Sequence, residues 1–193
     1  MSVRQSLLAL LTLGPCYGYQ LRAEYTRRTG ASRELNVGQI YNTLERLERD
    51  GLVATGETDA QGHVYYDITD AGRAEAERWL STPSVGLGLE ELAAKLALAA
   101  SLPGTDAATL VAAERAAAAT ADTVPSDAPA GLGPSLAAAA ATAAASARRD
   151  LLDAAAELLT RYPDTAVPLA PSRPRRGRPT RAVPPSPESA ART

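Results

Sequence analysis

The sequence of 193 residues predicts a mainly α-helical fold with one small β-hairpin. The first observation is an amphipathic helix that begins after Asn36 and ends at Gly51, with apolar residues three and four positions apart. The second is a pair of strand-like segments, residues 52–57 and 63–69, joined by a polar turn. The third is a second half rich in alanine and leucine with few aromatic residues. A helix followed directly by a hairpin predicts a winged helix-turn-helix, with a helical domain behind it.

Three more helices are predicted around this unit. A strongly apolar segment, residues 3–13, forms the first helix and ends at a Gly-Pro pair. The second opens at Tyr17, and the third covers residues 71–80 behind the caps Thr69 and Asp70. We assign residues 1–83 to this first domain.

The amphipathic helix also presents a polar face. Opposite its apolar stripe stand side chains that form hydrogen bonds, namely Gln39, Asn42, Thr43 and Arg46. Asn, Gln and Arg can make bidentate contacts with base edges in a major groove. The pattern predicts that this helix reads DNA.

Short motifs at matching spacings extend across the first domain. They are Leu13-Gly14-Pro15, Tyr17-Gly18-Tyr19-Gln20-Leu21, Gly38-Gln39-Ile40-Tyr41, Arg46-Leu47-Glu48, Gly51-Leu52-Val53 and Ala71-Gly72. On these residues, about 3 to 80 of the chain resembles the PadR family of bacterial transcriptional regulators. The chain departs from the family at Asn42, where many members have proline, and in the wing, which offers only His63 as a cation.

The resemblance implies a DNA-binding surface that is wider than the reading helix. The predicted set is Tyr17, Tyr19, Gln20, Arg22, Arg33, Asn36, Gly38, Gln39, Tyr41, Asn42, Thr43, Arg46 and His63. Tyrosine hydroxyls in it are expected to reach the DNA backbone, although Tyr17, Tyr19 and Tyr41 can equally be packing residues. His63 is expected to be an exposed wing residue near phosphate, since no second ligand stands at metal spacing.

Charge is distributed unevenly along the chain. Residues 1–83 hold 9 Arg and 11 acidic residues, residues 84–170 hold 5 basic and 10 acidic residues, and residues 171–193 hold 6 Arg and one Glu. A DNA-binding domain without net positive charge must rely on local cations. The candidates are Arg4, Arg22, Arg27, Arg28, Arg33 and Arg46. The same charge balance motivates an alternative function, a winged-helix protein-interaction module without specific DNA binding.

The second half predicts a helical dimerisation domain over residues 84–163, with a loop at about 121–134 where proline and glycine cluster. Its last helix starts near Ser135 and carries an apolar seam with spacings of three and four. The seam residues are Leu136, Ala140, Ala143, Ala147, Leu151, Ala154 and Leu158. Small residues allow a partner helix to approach closely, so the seam predicts a homodimer. Alternatively, the alanine content only records a GC-rich genome.

The family resemblance also implies a mode of regulation. In the predicted homodimer, two reading helices related by a two-fold axis would enter successive major grooves about 34 Å apart, so we expect the operator to be an inverted repeat. The regulated gene is often a nearby exporter gene, and repression is relieved by a small aromatic or amphipathic effector. Trp79, the only tryptophan, stands at the link between the domains. It packs in the core or forms the wall of an effector pocket.

Several classes of function are not expected. One cysteine excludes an intrachain disulfide and fits a reducing compartment. No apolar run approaches the ~18 residues that span a membrane, so we expect a cytoplasmic protein without membrane contact. No catalytic constellation is present, and one His and one Cys are too few for metal chemistry, so we expect no enzyme activity, cofactor or metal. Cys16 is interpreted as a small buried residue, with redox sensing as the alternative.

The last segment, residues 164–193, is predicted to be a disordered basic tail rich in Pro and Arg. It contains Arg176-Gly177-Arg178-Pro179, which looks like the core of an AT-hook. Glycine lets such a backbone sink into a narrow minor groove, where the arginines meet enhanced negative potential. The alternative is a solvated basic tail that attracts phosphate without sequence preference.

Overall fold

The computed structural model describes residues 2–31, 35–84, 86–121, 131–163 and 165–170. Its elements, in chain order, are α1 (Ser2–Leu11), α2 (Gly18–Thr29), α3 (Val37–Arg49), β1 (Val53–Thr58), β2 (Val64–Ile68), α4 (Asp70–Ser81), α5 (Leu89–Ser101), α6 (Ala107–Ala121) and α7 (Leu132–Arg161). The predicted mainly helical fold with one hairpin is confirmed.

Local signals fix both ends of α3 as predicted. The Asn36 Oδ1 accepts hydrogen bonds from the backbone N–H groups of Gly38, at 2.8 Å, and Gln39, at 3.4 Å. These are donors that have no partner within the helix. At the other end Gly51 has a φ of 72°, a left-handed conformation that ends the helix. Asn36 therefore sets the position of the first turn of α3.

Two predicted boundaries were wrong by two or three residues. The N–H groups of residues 12–14 bond to the carbonyls three residues earlier, so the last turn is tightened and α1 ends at Leu11 rather than Leu13. Helix α7 begins at Leu132 rather than Ser135 and includes Pro134. Proline fits in the first turn because its missing N–H would have no helical partner there.

The hairpin is joined to the start of α2. Strands β1 and β2 pair antiparallel, with Val53 opposite Ile68 and a register shift between Thr55 and Thr58. The backbone of Cys16 exchanges two hydrogen bonds with that of Tyr66, at 3.2 and 2.9 Å. The wing is consequently held against the segment that leads into α2.

Helix α1 is the central element of the core. Leu7, Leu8, Leu10 and Leu11 have no accessible surface, so the C-terminal half of the helix is buried on all sides. It is covered by α2, α3, α4, β2 and α5. Helix α5 packs on α1 and α2 and also contacts α6 and α7.

A buried cluster of charges lies where the segment after α4 meets the later helices. Lys95 and Glu114 are fully buried, with Nζ and Oε1 3.2 Å apart, and the other carboxylate oxygen binds Arg148 at 2.7 Å. Lys95 also donates to the carbonyl of Thr82 and the hydroxyl of Ser84. Burial lowers the pKa of Lys95 below its ordinary 10.5, while the charge of Glu114 opposes this shift. The cluster ties the link between α4 and α5 to α5, α6 and α7.

We predict that Glu114→Ala lowers the free energy of unfolding by about 3–5 kcal/mol, because it leaves the Lys95 ammonium buried without its carboxylate. Urea unfolding measures the change, and Glu157→Ala, at an exposed position of α7, is the control. The double variant Lys95→Met, Glu114→Leu should recover most of the loss, since neither charge is then stranded. Equal stability of Glu114→Ala and Glu157→Ala would contradict the prediction.

Candidate nucleic-acid interface

A shallow groove of about 560 Å³ follows the outer face of α3. It is lined by six residues of the predicted DNA-binding set, namely Asn36, Gly38, Gln39, Asn42, Thr43 and Arg46. The opposite face of α3 buries Ile40, Leu44 and Leu47 completely. Because the buried stripe fixes the rotation of the helix, the six residues share one solvent-facing surface.

The side chains of this groove differ in what they can offer a ligand. The Asn36 oxygen is occupied by the helix cap, and the Thr43 hydroxyl donates to the carbonyl of Gln39 at 2.7 Å. Gln39, Asn42 and Arg46 are exposed. An amide has both donors and an acceptor, and a guanidinium has five donors. Gln39, Asn42 and Arg46 therefore carry the base-reading chemistry of this face.

Three tyrosines gather at the N-terminus of α2. Tyr19 is 52% exposed, whereas Tyr17 and Tyr41 are half-buried. A Cβ at Gly18 would lie 2.7 Å from Cζ of Tyr41, so only glycine permits this approach of α2 to α3. Burial, followed by the neighbouring Tyr19 and Tyr17, raises the pKa of Tyr41 above 10. Tyr41 therefore keeps its hydroxyl proton at neutral pH.

The wing residue His63 is held in place on both sides. Its ring stacks on that of Tyr17, with centroids 4.4 Å apart and an interplanar angle of 18°, and Tyr65 meets Tyr17 edge-on. The His63 Nδ1 lies 2.8 Å from a carboxylate oxygen of Asp59. The remaining ring nitrogen, Nε2, is the atom with which His63 can meet a phosphate.

The arginines predicted to meet phosphate are placed differently from one another. Arg28 is wrong as a candidate, because its guanidinium is buried against Glu24, with Nε and Oε2 2.9 Å apart. Arg4 binds Asp50 at 2.8 Å, which offsets its charge. Arg22 is half-buried on α2 and Arg46 is exposed.

Other predicted site residues lie away from the groove or outside the described part of the chain. Gln20 is half-buried, and its Oε1 accepts no hydrogen bond from the residues that the structure describes. Trp79 is half-buried, with Lys95 Nζ 5.7 Å from its ring centroid. Arg33 falls outside the described residues, as do the tail residues Arg176, Gly177, Arg178 and Pro179.

Cys16 is a packing residue in this structure. Its side chain has no accessible surface, and burial, followed by the charge of Glu24, raises the pKa of its thiol to about 12. Nucleophilic or redox chemistry needs the thiolate, which this site disfavours.

Across residues 2–31, 35–84, 86–121, 131–163 and 165–170, no group of three or more His, Cys, Asp or Glu side chains is arranged to hold a metal ion. Within the same ranges no helix is long and apolar enough to cross a bilayer.

Sequence reasoning missed one set of contacts on α2. Glu24, Arg27 and Arg28 bind the segment that follows α7, at residues 167–170. A Glu-Arg pair four positions apart suggests only a helix-surface ion pair. No local signal in the sequence indicates its distant partner.

Helices α2 and α3 form a helix-turn-helix, the hairpin of β1 and β2 is its wing, and α3 carries a groove of hydrogen-bonding side chains. These features define the class of winged-helix, DNA-binding transcriptional regulators. Residues 7–78 match the model of the transcriptional regulator PadR-like family. The resemblance read from the motifs is thereby confirmed.

Two solved structures are similar to parts of the chain. One is a transcriptional regulator from Clostridium thermocellum, at 25% identity and a TM-score of 0.37, over 39% of this chain and 74% of that one. Another is Bacillus subtilis PadR in complex with operator DNA, at 19% identity and a TM-score of 0.40, over 83% of this chain and 99% of that one. No curated protein sequence matches the chain.

We predict that Gln39→Ala or Asn42→Ala weakens binding to the specific operator by roughly 1–3 kcal/mol, because each removes amide contacts to a base edge. Fluorescence polarisation with labelled operator measures this change. A duplex of equal length and unrelated sequence is the control, and both variants should bind it as the parent does. Parental operator affinity in both variants would mean that another element reads the sequence.

Proposed function

We propose that the chain is a homodimeric, ligand-responsive transcriptional repressor that binds an inverted-repeat operator near the gene it controls, an exporter gene by family resemblance. The observation that carries this proposal is the groove on α3, where exposed amides and a guanidinium lie side by side. The residues around it, Tyr17, Tyr19 and His63, would contact the DNA backbone at the groove edge.

The dimer is supported by the surface of α7. This helix has 30 residues, which corresponds to a length of about 45 Å. One face packs on α5 and α6, while Leu136 is 60% exposed and Leu158 is 51% exposed on the predicted seam. Ala140 and Ala143 of the seam are exposed as well, whereas Ala147 and Leu151 are half-buried. A second copy of α7 would cover this stripe and relate two reading helices by a two-fold axis.

The competing function is a protein-interaction module that does not recognise DNA. Its support is the net negative charge of residues 1–83 and the acidic wing residues Glu57, Asp59 and Asp67. Fluorescence polarisation with the DNA upstream of the chain's own gene distinguishes the two. Tight binding that weakens steeply with salt supports the repressor. A lack of binding even at low salt would replace it with the interaction module.

An effector site between the winged helix and the later helices is supported by a cavity of about 310 Å³. Tyr25 and Leu35 line one side of it, and Glu90, Glu91 and Ala94 of α5 line the other. An aromatic ring beside two carboxylates suits a planar or amphipathic cation. Trp79, whose ring lies beneath Lys95 Nζ, does not line this cavity and is a second candidate residue for an effector site.

The basic tail supports a further contact with DNA. Residues 171–193 carry six Arg and one Glu, and Arg176 to Pro179 suit a narrow minor groove. An AT-hook would lose affinity mainly on operators with A·T-rich flanks when the tail is deleted. A plain basic tail would lose it equally on G·C-rich flanks.

We predict that Ala143→Glu converts the dimer to monomers, because a carboxylate that is solvated in the single chain becomes buried and unpaired in the dimer, at a cost of about 3–5 kcal/mol. Sedimentation velocity measures the assembly, and operator affinity should fall with it. Ser146→Glu, exposed on α7 but off the seam, is the matched control. A dimer that survives Ala143→Glu would place the interface elsewhere.

For the effector, we predict that rhodamine 6G, a planar aromatic cation, releases the operator and quenches Trp79 emission over the same concentration range. A ligand can shift the equilibrium only by binding one conformation more tightly. Tyr25→Ala should weaken both effects in parallel. Quenching without operator release would separate ligand binding from regulation.

A further inference from the structure

The turn of the wing is built around the carboxylate of Asp59. Its Oδ1 accepts hydrogen bonds from the backbone N–H groups of Gln61 and His63, both at 2.9 Å, and its Oδ2 lies 2.8 Å from Nδ1 of His63. The Asp59 N–H donates to the carbonyl of His63 at 3.0 Å, which closes the hairpin. Both carboxylate oxygens are therefore occupied, and the imidazole of His63 has a fixed partner.

Asp59 is ionised at neutral pH, so its oxygens only accept hydrogen bonds. Desolvation alone would raise the pKa of Asp59, but the hydrogen bonds from the backbone and ring of His63 and from the Gln61 N–H outweigh it and hold the pKa below 3.8. A contact of 2.8 Å between a carboxylate oxygen and a ring nitrogen then needs a hydrogen on the nitrogen. Nδ1 of His63 carries that hydrogen.

The hydrogen on Nδ1 decides what the other ring nitrogen can do. A neutral imidazole has one N–H group, so Nε2 is left with a lone pair and only accepts. Phosphate oxygens of DNA are acceptors as well. His63 can consequently donate to a phosphate only when its ring carries a second proton. Taking up this proton breaks no contact, because Nδ1 continues to donate to Asp59 and the ring continues to stack on Tyr17.

The groups that face this imidazole come from three parts of the fold. Asp59 lies on the hairpin turn, Tyr17 lies at the N-cap of α2, and Tyr65 of β2 meets Tyr17 edge-on with ring centroids 5.4 Å apart. The other carboxylates of the hairpin are Glu57 on β1 and Asp67 on β2. The imidazole side chain itself is 37% exposed, so a phosphate can approach it from solvent.

We propose that the wing is a proton-dependent phosphate site, in which His63 must bind one proton before it can hold the DNA backbone. The ligand is the phosphate of the duplex, so this inference rests on the proposed DNA-binding function. Imidazole is the side chain whose charge changes between about pH 5 and pH 8, and His63 is the only histidine of the chain. Because the protonated form binds, operator affinity rises as the pH falls through this range. It declines as the pH rises, by up to about tenfold per wing for each pH unit.

The tautomer of the free protein is the first test. Since the chain has one histidine, its ring nitrogen signals in NMR at about pH 8 report directly which nitrogen carries the hydrogen. We expect the Nδ1–H form in the parent. We expect the Nε2–H form in Asp59→Asn, whose amide oxygen still accepts from the two backbone N–H groups while its amide N–H turns towards Nδ1. An Nε2–H form in the parent would overturn the proposal.

Proton uptake on binding is the second test. Titration calorimetry with the operator, in two buffers of different ionisation enthalpy, gives the number of protons that the complex takes from the buffer. We expect the full chain to take up as many as about one proton per wing near neutral pH. His63→Phe keeps an aromatic ring against Tyr17 but has no donor, so it should lose this uptake. His63→Lys should keep its affinity up to about pH 8, because an ammonium group stays charged.

A matched pair of carboxylate variants separates the tautomer from the charge. Asp59→Asn allows the neutral ring to donate from Nε2, so its operator affinity should vary little with pH. Glu57→Gln removes one charge from an exposed position of the same hairpin. It should raise the affinity at every pH and leave the pH dependence as in the parent. Equal pH dependence in Asp59→Asn and Glu57→Gln would contradict the proposal.

Operator binding without proton uptake, or with the same uptake in His63→Phe as in the parent, would overturn the inference and leave the proposed function intact. A full-length chain that forms no operator complex even at about pH 6, where imidazole gains its proton, would instead overturn the proposed function, and the inference with it.

Discussion

The burial of the C-terminal half of α1 on every side is the constraint on which the rest of the structure depends. A helix with four leucines that have no accessible surface has to be covered all round. Helices α2, α3 and α4 with β2 cover part of it, and α5 covers the rest. The core consequently continues across the boundary predicted between residues 83 and 84. Helices α3 and α5 therefore share one buried neighbour. We propose that a shift of the later helices reaches the groove on α3 through this shared neighbour.

Two buried charge clusters connect the winged helix and the segment after it to later parts of the chain. Lys95 and Glu114 bind the segment after α4, and Glu24 and Arg28 bind residues 167–170, which follow α7. Buried ion pairs are weak sources of stability, because desolvation offsets much of their attraction. Their hydrogen bonds, however, are satisfied in only one arrangement of the partners. We infer that these clusters fix how the winged helix and the later helices are oriented, while the leucines around α1 supply most of the driving force for folding.

The elements that the sequence predicted correctly are those whose signals are local. Asn36 and Gly51 mark the ends of α3 through contacts within a few residues, and the stripe between them needs only helical periodicity. The features that escaped prediction depend on distant partners. Ala170 meets Glu24 across 146 positions, and Arg28 looked like a surface cation because nothing nearby shows that it is buried. The stacking of His63 on Tyr17 likewise follows from the tertiary placement of the wing. The groove on α3 was predictable, and the electrostatic environment around it was not.

The groove on α3 is surrounded by charges of both signs. Arg46 contributes a cation to the groove, whereas Arg28 is buried and Arg4 faces Asp50. Wing residues Glu57 and Asp67 repel phosphate, so a long-range attraction from residues 1–83 as a whole is weak. Amide contacts discriminate between base pairs, but they add little to the attraction between protein and backbone. We propose that α3 therefore acts together with a separate source of positive charge, held close enough to act on the same stretch of duplex. The highest density of arginine in the sequence is in residues 171–193, which hold six Arg and one Glu.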